Sequence, residues 1–172
     1  MKLEFGCGEK ALEQGFLGVD IRPLPNVSFV CNAWEIVEYI ELDVVDVIFS
    51  RHFFEHLTYA QAEETLKAWK KVLKPGGSLE IIVPDMIFHI KQWLSPNRNK
   101  VRTSNSSELT LEEHAVRGFW GHQRDGMTDT WDIHKSGYDF QLIEQLLGRH
   151  GFLEIHRINA APKNLHVKAK AP

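Results

Sequence analysis

The sequence predicts an α/β fold: a doubly wound, mostly parallel seven-stranded sheet with a shortened first helix and a closing antiparallel hairpin. Three observations predict it. Short apolar segments rich in β-branched residues alternate with helical patterns. The first strand runs straight into a glycine turn, Gly6-Cys7-Gly8, and the second ends on a carboxylate, Asp20. The last two strands have no helix between them, as a hairpin requires.

Taken in order, Lys2–Phe5 reads as the first strand and Phe16–Ile21 as the second. The link from Gly8 to Phe16 is too short for a full crossover helix, so a helix of one or two turns is expected there. Val27–Val30 and Val44–Ser50 follow as buried strands. A helix is predicted from Thr58 to Leu73. Thr58 and Gln61 form a capping box, and Ala62, Leu66, Trp69 and Leu73 share one face. Lys74-Pro75-Gly76-Gly77 stops it and turns the chain into a fifth strand, Ser78–Val83. A second helix is predicted from near Ser136, with Asp139 as its capping partner, Ile143, Leu146 and Leu147 on its apolar face, and an end before Gly151. Phe152–Ile158 and Leu165–Ala169 complete the sheet.

Asp85 to Gly137 interrupts this rhythm. A connection of about fifty residues is uncommon and is usually functional. It holds Trp93, Phe119, Trp120 and Trp131 and four of the nine histidines. Aromatic residues in such an insertion either build its own small core or stack on a sugar.

At 172 residues the chain is expected to form one domain, residues 1–172, with a substrate-side insertion at 85–137. Hydrophobic content of 43% and charged content of 25% are those of a soluble globular protein. A net charge of −3 and a pI near 6.3 argue against a nucleic-acid partner, which selects a basic face. No apolar run approaches the ~20 residues that span a bilayer, and Glu4, Glu9 and Lys10 interrupt the amino terminus as a signal peptide. The chain is therefore expected in the cytoplasm, with Cys7 and Cys31 as free thiols.

In a parallel sheet the ends of the first two strands lie side by side where ligands bind. Gly6 and Gly8 let backbone approach a ligand, and Asp20 is placed to accept from ribose hydroxyls. The structural alternative is a plain turn and a plain strand end. His52-Phe53-Phe54-Glu55-His56 matches H-x-x-E-H, a zinc-protease pattern that needs both histidines on one helix. Here the pentad lies between a buried strand and the Thr58 cap, so it reads as a strand-to-helix turn and no metal is expected.

Glu4-Phe5-Gly6-Cys7-Gly8 resembles the first motif of class I S-adenosylmethionine-dependent methyltransferases. Val19-Asp20-Ile21 is similar to their acidic second-strand end, and Cys31-Asn32-Ala33 to their adenine-contacting site. Asp46-Val47-Ile48-Phe49-Ser50 with Phe54-Glu55-His56-Leu57 resembles the fourth strand and its exit, and Leu73-Lys74-Pro75-Gly76-Gly77 the turn before the fifth. The motifs keep the family's order over residues 2–83. More narrowly, Val83-Pro84-Asp85, His134-Lys135-Ser136-Gly137-Tyr138 and Leu165-His166-Val167-Lys168-Ala169 resemble a bacterial group of small predicted methyltransferases that occurs with surface-polysaccharide functions.

The resemblance implies a Rossmann-like fold, S-adenosylmethionine as cofactor, and methyl transfer to oxygen of a small-molecule or sugar acceptor. It places Glu4, Phe5, Gly6, Cys7 and Gly8 at the methionine side, with the backbone of Ser50 and Arg51; Asp20 at the ribose; and Ile21, Asn32 and Ala33 at the adenine. The family's third glycine is replaced near Lys10, and its usual adenine-contacting acid by Asn32, so a carboxylate at Asn32 is expected to be tolerated. An oxygen nucleophile benefits from a base titrating near neutrality, which favours histidine. His134 is the first catalytic candidate and Asp85 the second, with capping or packing as the competing role for His134. The alternatives in function are a nicotinamide-dependent oxidoreductase, which shares the glycine turn and ribose carboxylate, and a non-catalytic domain of the same fold.

Overall fold

In a computed structural model of the chain, residues 1–104, 107–123, 130–159 and 161–172 are described. The segments 105–106 and 124–129 of the predicted insertion lie outside them. Strands β1 (Lys2–Phe5), β2 (Leu17–Asp20), β3 (Val27–Val30), β4 (Val45–Arg51) and β5 (Leu73–Pro84) pair in parallel. After helices α1 (Tyr59–Val72) and α2 (Met86–Trp93) comes a two-stranded hairpin, β6 (Val101–Ser104) with β7 (Ser107–Thr110). Helices α3 (Leu111–Trp120) and α4 (Phe140–Arg149) precede β8 (Leu153–Ile158) and β9 (Asn164–Lys170). The main sheet runs β3-β2-β1-β4-β5-β9-β8, and β9 is antiparallel to both neighbours. This is the predicted seven-stranded, mostly parallel sheet closed by a hairpin.

Helix α1 is capped as expected: the Gln61 amide donates to Thr58 Oγ1, and the Thr58 amide to Gln61 Oε1. Ala62, Leu66 and Trp69 are buried on its inner face, and Trp69 packs against Phe5 and Phe54 with ring centroids 4.8 and 5.8 Å apart. Helix α4 buries Ile143, Leu146 and Leu147. It starts later than predicted. Asp139 is itself the N-cap, accepting from the Leu142 amide, and Ser136 belongs to the preceding extended segment.

Two further expectations are corrected. The link from Gly8 to Phe16 contains turns and no helix. Its carbonyls find another partner, because Asn26 Nδ2 donates to both Gly8 O and Lys10 O at 2.8 Å. The Leu73–Gly77 turn is part of β5, since Gly76 N–H donates to Ala171 O and Leu73 pairs with Val45 before the register shifts. A six-residue 3₁₀ helix, Ala33–Glu38, follows β3 where a crossover helix was not foreseen, and it buries Ala33 and Ile36.

Helix α2 packs on α3 with Trp93 against Phe119 and His89 against His114 (centroids 6.1 and 5.1 Å apart). Part of the insertion's aromatic content thus forms a local core, while Trp120 and Trp131 are exposed.

Candidate functional site

A cleft of about 600 Å³ opens at the carboxyl edge of β1, β2 and β4, a volume suited to a cofactor-sized ligand. Its floor is the glycine turn. Gly6 adopts φ +65° and Gly8 φ +57°, backbone that favours glycine. A Cβ on Gly6 would lie 2.4 Å from Phe53, whose side chain covers that residue and forms part of the wall.

The two glycine donors of the turn are already used within the protein. Gly6 N–H donates to Val19 O at 2.8 Å, and Gly8 N–H to Asp20 Oδ2 at 2.9 Å. A pyrophosphate cradle needs such N–H groups free. The turn therefore suits a cofactor without phosphate better than a dinucleotide.

Asp20 is buried on the cleft wall. Arg22 donates to it through its backbone N–H and Nε (both 3.0 Å, to Oδ1) and through Nη2 (3.2 Å, to Oδ2). Burial alone would raise the Asp20 pKa; the Arg22 and Gly8 hydrogen bonds outweigh it and hold the carboxyl below its ordinary value. Arg22 was not foreseen. An arginine two residues past a strand end has no sequence signal, yet its fork shares the carboxylate expected to meet a ribose.

Asn32 donates through Nδ2 to Glu35 Oε1 at 3.0 Å and through its backbone N–H to Oε2 at 3.1 Å. Of the expected cofactor residues, Phe5, Gly6, Cys7, Gly8, Asp20, Ile21, Asn32, Ala33 and Arg51 line the cleft. Glu4 and Ser50 do not. Glu4 is buried beneath the turn near the Glu13 amide, and burial raises its pKa. Ser50 is fully buried, and its Oγ has no hydrogen-bond partner among the described residues. Burial pushes the Cys7 and Cys31 thiols up to about 11, so at neutral pH both stay protonated.

Neither residue expected to be catalytic stands on the cleft wall. Asp85 caps α2, accepting from the Phe88 amide, and its Oδ2 is 2.6 Å from Arg157 Nη2. His134 lies one layer back, with burial pulling its pKa below the ordinary value. The histidines that line the cleft are His52 and His56.

The H-x-x-E-H pentad leaves β4 through the 3₁₀ turn Phe54–His56, as a strand-to-helix turn should. His52 takes φ +52°, an uncommon conformation for a side-chain-bearing residue, and its Nδ1 lies 3.2 Å from Glu55 Oε1. The amides of Lys135 and Ser136 donate to Glu55 O at 2.8 and 3.1 Å and clamp the 134–136 segment onto this turn. Trp131, Asp132 and Lys135 thereby reach the cleft.

The sheet order, with the turn-and-carboxylate pair at its edge, is that of a Rossmann-like methyltransferase fold. Residues 3–81 match a family model described as a methyltransferase domain, Methyltransf_11. Solved structures similar to the chain include an S-adenosylmethionine-dependent methyltransferase from Archaeoglobus fulgidus (15% identity, 98% of this chain and 85% of that one, TM-score 0.59). Another, from Methanosarcina mazei, has 14% identity over 98% and 91% of the two chains, with a TM-score of 0.62. A third is the 1,6-didemethyltoxoflavin-N1-methyltransferase of Burkholderia thailandensis, solved with 1,6-didemethyltoxoflavin and S-adenosylhomocysteine (16% identity, 99% and 70% covered, TM-score 0.59). At these identities the structures establish the fold. No curated protein matches the sequence. The family model spans residues 3–81 of the 172, and the similar structures share the fold of S-adenosylmethionine-dependent methyltransferases.

Proposed function

We propose that the protein transfers a methyl group to an oxygen of a small-molecule acceptor, a sugar or glycan by preference. The observation that carries this reading is His52 on the cleft wall, paired with the buried Glu55 behind it. A carboxylate only accepts, so His52 Nδ1 carries the proton it shares with Glu55 Oε1, and Nε2 is left basic. A histidine oriented by a carboxylate is the arrangement that deprotonates hydroxyl nucleophiles.

S-Adenosylmethionine supplies the methyl group from its sulfonium. Toward it, Gly6, Cys7, Gly8 and Arg51 line the methionine side, Asp20 accepts from the ribose in company with Arg22, and Ile21, Asn32 and Ala33 border the adenine. Trp34, beside them, adds an aromatic wall. The chain's main work is to hold an acceptor hydroxyl in line with the methyl and remove its proton. Asp85 has no part in this, being committed to the α2 cap and Arg157.

The acceptor side is residues 131–135 of the 85–137 insertion, within a single 1–172 domain. Exposed Trp131 at the cleft supports a sugar, because a flat apolar ring matches a sugar face. The narrower resemblance to methyltransferases associated with surface polysaccharides points the same way. The acidic net charge supports an acceptor other than nucleic acid. Among the described residues, no helix is long and apolar enough to cross a membrane; two buried free thiols support work in the cytoplasm.

The test is formation of S-adenosylhomocysteine from S-adenosylmethionine over a panel of sugar nucleotides, glycans and simple hydroxyl and amine compounds. Turnover with a hydroxyl acceptor is expected to fall about 10²–10⁴-fold in His52→Gln, the range for a positioned base, with cofactor affinity retained. Methylation confined to amines, or full turnover by His52→Gln, overturns the oxygen reading.

A further inference from the structure

We infer that Glu55, His56 and His134 form a binding site for a divalent d-block cation of the zinc or manganese kind, set just behind the cleft wall that His56 reaches. One ligand atom from each residue lies within 4.8 Å of the others, and His134 Nε2 is 3.9 Å from Glu55 Oε1. Ligand atoms around a four-coordinate ion stand about 3.4 Å apart. Closing the site asks for about an ångström of side-chain movement.

Two independent features point to an ion. The first is the wiring of the imidazoles. His56 Nδ1 lies 3.0 Å from Ile133 O, and His134 Nδ1 lies 3.0 Å from Gly118 O. A carbonyl oxygen only accepts, so both rings carry hydrogen on Nδ1 and present a lone pair on Nε2. A backbone carbonyl holding the far nitrogen is the usual support of a metal-bound histidine. The second is Glu55 itself. It is 1% exposed, and Oε2 has no hydrogen-bond partner among the described residues. A buried carboxylate oxygen without a donor is expensive; a cation supplies the missing partner.

The ligand set differs from the one the H-x-x-E-H pattern suggests. His52 and His56 do not share a helix face, and the second histidine comes from the segment clamped onto the turn by Lys135 and Ser136. Two imidazoles and one carboxylate suit zinc, manganese, iron or cobalt and leave positions open. His56 lines the cleft, so an ion held there lies beside the His52 base.

The catalytic consequence rests on the oxygen-transfer reading: an acceptor hydroxyl drawn to the ion becomes more acidic. Its proton passes to His52 Nε2 while its oxygen forms the new bond to the methyl carbon. The carbon–sulfur bond breaks with its electron pair left on sulfur. Ion binding itself does not depend on that reading.

The experiment titrates chelator-treated, desalted protein with Zn²⁺, Mn²⁺ and Co²⁺ by calorimetry, and reads the visible spectrum with Co²⁺. One equivalent is expected to bind. His56→Ala and His134→Ala should each weaken binding at least about 10-fold, the scale of losing a ligand or its support. His166→Asn, a histidine paired with Glu80 elsewhere on the sheet, should match wild type. Circular dichroism and the urea midpoints of the same variants report that they are folded. X-ray absorption of the wild-type zinc form should show nitrogen and oxygen ligands with two imidazoles. No uptake by wild type, equal affinity in the alanine variants, or sulfur ligation overturns the site. S-Adenosylhomocysteine binding without metal uptake sinks this inference alone; metal uptake without S-adenosylhomocysteine binding sinks the methyl-transfer reading alone.

Discussion

Gly6 and Gly118 each make room for a ring, in two regions built on different principles. Gly6 lies under Phe53 at the strand edge, where a Cβ would be 2.4 Å from that side chain and φ is already +65°. Gly118 lies under His89 between α2 and α3, where a Cβ would be 2.3 Å from the imidazole, but its backbone is ordinary helix. At the cleft, chain direction and space are fixed together; in the insertion only space is. The histidines divide the same way. His56 and His134 are tied to carbonyls beside a carboxylate, whereas His89 packs in a small core with Nδ1 lacking a hydrogen-bond partner among the described residues. What a residue does here follows from the groups its region puts beside it.

The largest expected effect separates the two glycines. Gly6→Ala combines a left-handed backbone penalty of about 1–2 kcal/mol with overpacking of about 1–3 kcal/mol, and should abolish cofactor binding as well. Gly118→Ala meets the overpacking but gains about 1 kcal/mol of helix propensity, so its loss should be about 0–2 kcal/mol. Urea unfolding and calorimetry with S-adenosylhomocysteine check both. A Gly6→Ala protein as stable and as tightly binding as wild type would erase the distinction.

The second prediction belongs to the insertion. Burial lowers the His89 pKa to about 4, with His114 lowering it further and Asp85 and the Lys163 backbone opposing. His134 across Gly118 adds a smaller lowering. Because the folded value lies below the ordinary one near 6.5, the unfolded chain binds the proton first. Stability is full above about pH 6.5 and declines as pH falls toward 4, by up to about 3 kcal/mol. His89→Leu should flatten that part of the urea midpoint against pH. An unchanged acid slope in the variant would assign the loss to other groups.

The same contrast shows what was legible in the sequence. The strand segments, the α1 capping box, the Asp139 signal and the glycine turn beside a strand-end carboxylate could be read, because each depends on neighbours a few positions away; nine of the eleven residues expected at the cofactor line the cleft. The α3 start carries the same signal, Thr110 with Glu113, and was open to the same reading. Arg22 on Asp20, Asn26 under the glycine turn and Phe53 over Gly6 were not legible, since each is a contact made by the folded sheet edge. His134 was singled out for its place in the insertion, but its neighbours Glu55 and His56 come from the exit of β4. Only the clamp of residues 134–136 on that turn brings them together, which turns an expected base into a proposed ligand.

At the cleft, Asp20 and Arg22 sharpen the comparison further. Asp20→Ala should weaken S-adenosylhomocysteine binding by about 1.5–3 kcal/mol, the value of hydrogen bonds to a charged group. Arg22→Ala should not weaken it, because removing the guanidinium leaves the carboxylate open to the ribose hydroxyls. Calorimetry on the two variants reads the difference. Equal losses in both would mean that the pair acts as one unit and that Asp20 alone is not the ribose acceptor.

The smallest effect concerns Asn32, where the structure revises an expectation. A carboxylate was expected to be tolerated there by resemblance, but Asn32 Nδ2 donates to Glu35 Oε1 at 3.0 Å. An aspartate would replace that donor with an acceptor and set two carboxylates in contact, which disfavours both charges. Asn32→Leu should lose about 0.5–1.5 kcal/mol of S-adenosylhomocysteine affinity, the value of one neutral hydrogen bond. Asn32→Asp should lose as much or more, together with some stability of the Ala33–Glu38 turn. Adding Glu35→Gln to Asn32→Asp should recover part of both, because the glutamine amide then donates where the carboxylate repelled. If Asn32→Asp binds as well as wild type while Glu35 is intact, the Asn32–Glu35 bond is not what positions this edge, and adenine is held by Ile21 and the backbone instead.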